Sequence, residues 1–399
     1  MQPIEVIMQT QMSVPDIFIT KSQIYKKFVE LEEDPAGITF IFGAGASAGY
    51  TSDTANHLTP PTVEHILDRE KNTAVARLKE KGEHDGVFDE KDHIDDWLTS
   101  RQMDLESYLG SLFKKRAENE PFVLNFLEYL NDLCALVSKN FDTSQKNNYK
   151  RLARTMYTLR GNLPWHCLSF NYDTLLEKSI LSCKKDDDRN FNSFPDYQLK
   201  NPSVIKIHGS RNFTFSYVEK TKTPKKTRKE IFKLMMDGSV DESSEQSFYR
   251  YSSEEDFSGY VGLSRSTEWV KYSDDEESVY SDIYHYPLTM VPIHNTTKFE
   301  CPYFKEQLEE AKKRISESKL VVVIGYNLGD DVFREHIKGL DTTSKELILV
   351  GTNSPKGIIN QNITHQSYKW ASEIWEGKNI KIFDGNGFGE FVNAIAIAS

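Results

Sequence analysis

Cysteine is scarce: Cys134, Cys167, Cys183 and Cys301 are the four in 399 residues, with no C-x-x-C pair. That spacing excludes the usual four-cysteine zinc module and offers no disulfide framework, so free buried thiols in a reducing compartment are expected, and no metal site. Long apolar runs are missing too. Nothing approaches the length of a bilayer span, and the N-terminus lacks the basic-then-apolar build of a secretory signal, so the chain reads as soluble and cytoplasmic, with no membrane partner. Positive charge is in deficit: the net charge of −11 argues against direct nucleic-acid binding, which depends on clustered cations. The local exception, Lys220 to Lys233, reads as a solvated loop or helix face rather than a docking patch for an acidic partner. No internal repeat is visible.

What the chain does have is a set of short apolar strands, each ending in polar or glycine residues. The first is Ile38-Thr-Phe-Ile-Phe42, which runs into Gly43-Ala-Gly45-Ala-Ser47-Ala-Gly49. Later come Trp165 to Phe170 ending in Asn171-Tyr-Asp173, and Ser203 to Ile207 ending in His208-Gly209-Ser210. Leu320 to Ile324 then precedes Gly325-Tyr-Asn327, Glu346 to Val350 precedes Gly351-Thr352-Asn353, and Ile380 to Phe383 precedes a terminal helix. Continuous apolar strands alternating with helices predict a parallel sheet covered on both faces, an α/β Rossmann-like fold. In such sheets ligands sit at the carboxyl ends of the strands, where all of these polar residues fall.

Two insertions interrupt the pattern. Residues 1–36 read as an N-terminal arm and helix. The α/β domain takes 37–210 and 300–399, with a helical insertion at about 86–160 and a polar insertion at 211–299, the latter partly structured and partly mobile. A helix is expected from Thr59-Pro-Pro-Thr62 to Lys81, and Thr174 to Glu177 has the spacing of a capping box at the start of another. His166, inside an apolar strand, reads as a core residue. His285 and His294 receive no role.

The glycine turn lets a backbone approach a pyrophosphate, and its N–H groups, with the helix that follows, offer donors to it. No Gly-Lys-Ser/Thr follows, so it is not a P-loop. No acidic residue ends a second strand about 20 residues on, so it also departs from the common dinucleotide fingerprint; Asp68 stands near that distance but in a helical pattern. His208 alone would be an ordinary histidine satisfied at a strand end. Its place before Gly209, with Asn171 closing another strand, assigns it to chemistry. Asp173 reads as helping its helix start, with a ribose contact left open.

Taken in order, Gly43-Ala44-Gly45-Ala46-Ser47, Phe170-Asn171-Tyr172-Asp173, His208-Gly209, Gly325-Tyr326-Asn327 and Gly351-Thr352-Asn353 resemble the sirtuin-like NAD-binding family, particularly its bacterial anti-phage defence branch. The resemblance covers about half the chain. It implies that Gly43, Ala44, Gly45 and Ser47 contact the pyrophosphate, that Asn171 orients the nicotinamide-side ribose and a water, and that His208 is the base facing the ribose hydroxyls. Asp173, Gly325, Asn327, Thr352 and Asn353 would complete the NAD-binding set, with Asn353 on the adenosine half. Tyr326 and Asn327 stand where the family has Thr and Ser. Sirtuin deacylases carry a zinc ribbon and a Gly-Ile-Pro-Asp-Phe-Arg stretch; here Tyr50-Thr-Ser-Asp-Thr-Ala stands after the glycine turn, and no zinc ribbon is expected.

The resemblance therefore implies an NAD+ glycohydrolase that releases nicotinamide and ADP-ribose and depletes NAD+ during phage infection. Gating would come from homo-oligomerisation or from a partner, a HerA-type ATPase or an Argonaute-like sensor. The alternatives are an NAD+- or ADP-ribose-sensing module without turnover, and a protein ADP-ribosyltransferase or deacylase.

Overall fold

The computed structural model describes residues 17–48, 58, 60–61, 66–70, 72–82, 84–89, 116–139, 147–183, 197–198, 201–219, 245–251, 264–270, 279–289, 302–351, 361–375 and 379–396. In chain order the elements are β1 (Phe18–Ile19), α1 (Lys21–Glu30), β2 (Gly37–Phe42), α2 (Ala44–Ala48), α3 (Thr73–Lys81), α4 (Asp85–Asp89), α5 (Arg116–Lys139), α6 (Asn148–Arg160), β3 (Trp165–Ser169), α7 (Leu175–Leu181) and β4 (Ser203–Lys206). Then follow β5 (Gly209–Glu219), β6 (Glu245–Tyr251), β7 (Ser264–Val270), β8 (Val279–Thr289), α8 (Pro302–Glu317), β9 (Ser318–Ile324), α9 (Asp331–Ile337), β10 (Glu346–Val350), α10 (Gln361–Ile374), β11 (Ile380–Phe383) and α11 (Gly387–Ile395).

Seven strands form one sheet in the order β1-β11-β10-β9-β2-β3-β4, and every pairing in it is parallel. The predicted α/β Rossmann-like architecture is therefore present. β2 shows why both faces need cover: its six residues are all buried. Phe40 and Phe42 turn to one side, where Phe40 stacks near Phe28 of α1 and Phe42 meets Tyr149 of α6 and Phe388 of α11. Thr39 turns to the other, its hydroxyl 2.7 Å from Ser318 Oγ and 3.3 Å from the Arg314 carbonyl of α8. Helices α1, α6, α7 and α11 pack in succession on the first face, and α8, α9 and α10 on the second.

The chain leaves β2 for β3 and β4 on one side. After a long excursion it returns to β9, beside β2 on the other side, and moves outward to β10 and β11. The strand order thus reverses between β2 and β9, and such a reversal opens a crevice at the carboxyl ends of the two strands.

Arg160 fixes the entry to this centre. Its guanidinium donates to the carbonyls of Leu31, of Asp34 at 2.8 Å, of Ala36 at 2.7 Å and of Pro164 at 3.1 Å, joining the turns that feed β2 and β3.

The structure differs from the sequence reading in two places, the helix after Thr59 and the cap of α7. Of the helix expected from Thr59 to Lys81, Thr73–Lys81 is helical, capped by Asn72 Oδ1, which accepts from the Ala74 and Val75 amides; residues 66–70 are not helical, and Thr59 and Thr62 lie outside the described residues. Thr174 makes no side-chain cap to α7; Asp173 Oδ1 accepts from Leu175 N instead, and Glu177 faces Lys206. The capping box that does form is Thr20 with Gln23, at α1. The polar insertion, expected to be partly structured, holds a second sheet, antiparallel, in the order β6-β5-β8-β7.

Candidate active site at the sheet reversal

The turns after β2 and β9 touch at the reversal point, and glycine is what lets them. A Cβ on Gly43 would stand 2.7 Å from both the Gly325 carbonyl oxygen and Tyr326 Cβ. Gly325 has φ +59°, and a Cβ there would lie 2.2 Å from Ala46 N. Side chains at these positions would force the turns apart. Backbone bonds close the contact: Gly43 N donates to the Ile324 carbonyl at 3.1 Å, and Gly45 N to the Gly325 carbonyl at 2.9 Å. Those two amides are thus engaged within the protein, so the glycines act here through close approach.

Asn171, at the end of β3, is clasped to this turn. Its Nδ2 donates to the Gly43 carbonyl at 3.0 Å and to Ser47 Oγ at 2.9 Å, and it lies 3.4 Å from the Tyr149 hydroxyl. Ser47 Oγ and Tyr149 OH are 2.8 Å apart, and all three side chains are buried. Burial pushes the Tyr149 phenol well above its ordinary pKa, so it serves as a neutral hydroxyl.

Asp173, two residues on, is buried beneath the same loop. Burial raises its carboxyl above the usual range, although Lys206 and the Leu175 amide pull the other way. Lys206, on β4, has a fully buried side chain that donates to the Asp173 carbonyl at 2.6 Å and stands 3.2 Å from Glu177 Oε1. This ionic cluster anchors the loop carrying Asn171 from below.

His208 occupies the turn between β4 and β5 and is buried. Its Nε2 lies 2.9 Å from Asp330 Oδ2. The ring meets Phe170 edge-on, centroids 5.0 Å apart at 89°, and faces Tyr172 at 6.2 Å. Phe170 in turn stacks on Tyr326 at 4.1 Å. Phe170, just after β3, is therefore packed between His208 and Tyr326, the latter just after β9.

The structure thus brings Gly43, Ala44, Gly45, Ser47, Asn171, Asp173, His208 and Gly325 to the carboxyl ends of β2, β3, β4 and β9. Asn327 is exposed at the same end and accepts the Gly329 amide at 2.9 Å. Thr352 and Asn353, like Gly49, lie outside the described residues. Sequence reasoning missed Tyr149 and Asp330. Tyr149 sits in a helical stripe that reads as core. Asp330 was open to discovery, since Gly329-Asp330-Asp331 after a strand is an N-cap pattern at the same sheet end.

Comparison with protein-family models and with curated proteins finds no match. Among solved structures the chain is similar to a Sir2 homologue in complex with NAD, at 11% identity and TM-score 0.41, covering 96% of this chain and 97% of that one. It is also similar to a Sir2 homologue variant in complex with ADP-ribose, at 11% identity and TM-score 0.38, covering 93% and 94%. A third structure, concerned with the mechanism and regulation of Sir2 enzymes, gives 12% identity and TM-score 0.35 over 94% and 95%. At that level of likeness the fold is assigned by the strand order alone. Among the described residues, no group of three or more His, Cys, Asp or Glu could hold a metal ion, and no helix is long and apolar enough to cross a membrane.

Proposed function

We propose that this crevice binds NAD+ and hydrolyses it to nicotinamide and ADP-ribose. The observation that carries the reading is the placement of Asn171 and His208, both buried, at the carboxyl ends of neighbouring strands beside the strand reversal, with Asn171 bonded to the glycine turn after β2. The nicotinamide of NAD+ is already a cationic leaving group, so little acid catalysis is needed. What must be supplied is a nucleophile beneath the anomeric carbon and support for its developing positive charge. Water would attack that carbon as its bond to the pyridinium nitrogen breaks. Nicotinamide departs neutral with the bonding electrons, and the water's proton passes to His208 directly or through a ribose hydroxyl. The Nδ2 group of Asn171 is directed into the glycine turn, which leaves Oδ1 as the acceptor it can offer a sugar hydroxyl or water.

An unregulated NADase would poison its own cell, and the role proposed is that of a gated effector of anti-phage defence, released by oligomerisation or by a partner of the HerA-type ATPase or Argonaute-like sensor class. The second sheet supplies a route to the site. β5 begins one residue after His208, and Arg211 N and Ser210 Oγ both donate to the Tyr172 carbonyl, at 3.0 and 3.3 Å.

Incubation of the pure protein with NAD+, with and without such a partner, tests the reading by release of nicotinamide. His208→Ala and Asn171→Ala are each expected to lower release by roughly 10²-fold or more. Release that survives both substitutions would overturn the assignment.

The inward-turned Asn171 amide favours one second reading, a sensor that binds NAD+ or ADP-ribose without turnover. That version predicts thermal stabilisation by the dinucleotide with no product formed over hours.

A further inference from the structure

We propose that Asp330 is a positioning residue for His208, holding its imidazole in the tautomer that carries the proton on Nε2 and leaves Nδ1 as the basic nitrogen. The proposal deepens the hydrolase reading, in which His208 takes up a proton, but it concerns a state of the free protein.

The geometry points to Asp330 from both of its oxygens. Oδ2 stands 2.9 Å from His208 Nε2. Oδ1 accepts from Phe333 N at 3.0 Å, so the residue is also the N-cap of α9. One oxygen anchors the carboxyl to a helix and the other meets the ring. Asp330 is itself buried, and a buried carboxylate requires donors; a carboxylate can only accept, so the ring nitrogen facing it must bear the hydrogen. In a neutral imidazole that leaves the lone pair on Nδ1.

The plane of the ring is held from other directions. Phe333, whose amide Asp330 caps, meets Phe170 edge-on at 5.0 Å, and Phe170 meets His208 edge-on at the same centroid distance. Asp330, Phe333, Phe170 and His208 thus form a closed ring of contacts across the residue after β3, the β4–β5 turn and the start of α9. Such a ring fixes an imidazole before substrate arrives, and positioning groups work best when they need no reorganisation.

The test is the tautomer, read by long-range 1H–15N correlation on protein labelled at histidine, with the His208 signals assigned by their loss in His208→Gln. In the native chain Nε2 should carry the proton. Asp330→Asn keeps a cap oxygen for Phe333 N and presents an amide donor to the ring, so the proton should move to Nδ1. Asp330→Ser, which also caps, should release the preference and serves if the first variant folds poorly. Unchanged His208 signals in a folded variant would overturn the proposal, as would a native proton on Nδ1. Where NAD+ is cleaved, Asp330→Asn should lower kcat by roughly 10²-fold to 10⁴-fold with little change in KM. A tautomer shift in a protein that cleaves no NAD+ under any condition would sustain the positioning role while sinking the hydrolase reading.

Discussion

At the scale of single residues, two glycines with opposite surroundings separate backbone necessity from convenience. Gly325 combines φ +59° with an occupied Cβ position, 2.2 Å from a backbone nitrogen of the neighbouring turn. Gly86, within α4, would place a Cβ in open space. Gly325→Ala should cost about 2 kcal/mol or more, because a left-handed backbone and a backbone clash act together. Gly86→Ala should add about 0.5–1 kcal/mol, since a helical glycine loses more chain entropy on folding than alanine does. Urea unfolding of the two variants checks both signs, and a neutral Gly325→Ala would mean that the turns after β2 and β9 do not press together. The same scale shows where the sequence stops speaking. Asn171 and His208 were legible because each ends an apolar strand, whereas Asp330 and Tyr149 gain their meaning from partners brought near only by folding. Asp330 is 122 residues from the histidine it meets, and Tyr149 is 102 from Ser47.

Between elements, the tie that matters most to the site is Lys206 of β4 with Glu177 of α7. Neither carboxyl nor ammonium reaches solvent: the side chains are 0% and 4% exposed for Lys206 and Glu177. Burial pushes the Glu177 carboxyl above its usual range, although Lys206 draws it down. Lys206→Met removes the cation that Glu177 and the Asp173 carbonyl share, and should cost about 3–5 kcal/mol, since breaking one side of a buried pair strands the other. Adding Glu177→Gln should restore part of that loss, and a double-mutant cycle in urea measures the coupling. Additive losses would show that the two side chains do not act as a pair. Strands β2, β3, β4, β9, β10 and β11 were readable as runs of apolar residues, since a parallel strand is buried on both faces. β1 was not, because two residues carry no periodicity; it is defined by pairing with β11 through Phe18 and Ile19. For the second sheet the sequence shows a polar, partly structured insertion without its strands. Asn212-Phe-Thr-Phe-Ser-Tyr-Val218 alternates in the manner of a strand, but charge-rich flanks masked the pattern.

Over the whole molecule, the sheet's carboxyl ends gather the candidate chemistry, while a strand interior holds an ionisable group that folding must keep neutral. That group is His166. It lies in β3, buried, with Nδ1 2.8 Å from Ser203 Oγ, and its ring packs against Gly37 at the start of β2. Burial, aided by the positive charges of Arg314, Arg160 and Lys313, pulls its pKa down from 6.5 to about 3. A histidine depressed in this way binds its proton in the unfolded chain before it does so in the native one. Its neutral state therefore favours folding in full above about pH 6.5, and that advantage is lost as pH falls toward 3, with a slope approaching about 1.4 kcal/mol per pH unit. Asp173 and Glu177 act in the opposite sense, because carboxyls raised by burial take up protons sooner in the native protein than in the unfolded chain. The His166 contribution is isolated by the difference between the native chain and His166→Gln, each followed by urea unfolding from pH 7.5 to pH 4.5, an interval chosen to span roughly two units below the free histidine pKa. The native protein should lose stability faster on acidification than the variant does, the gap opening below about pH 6.5. Parallel curves would mean that the strand interior admits a charged imidazole, and the dry, doubly covered sheet on which the crevice depends would have to be redrawn.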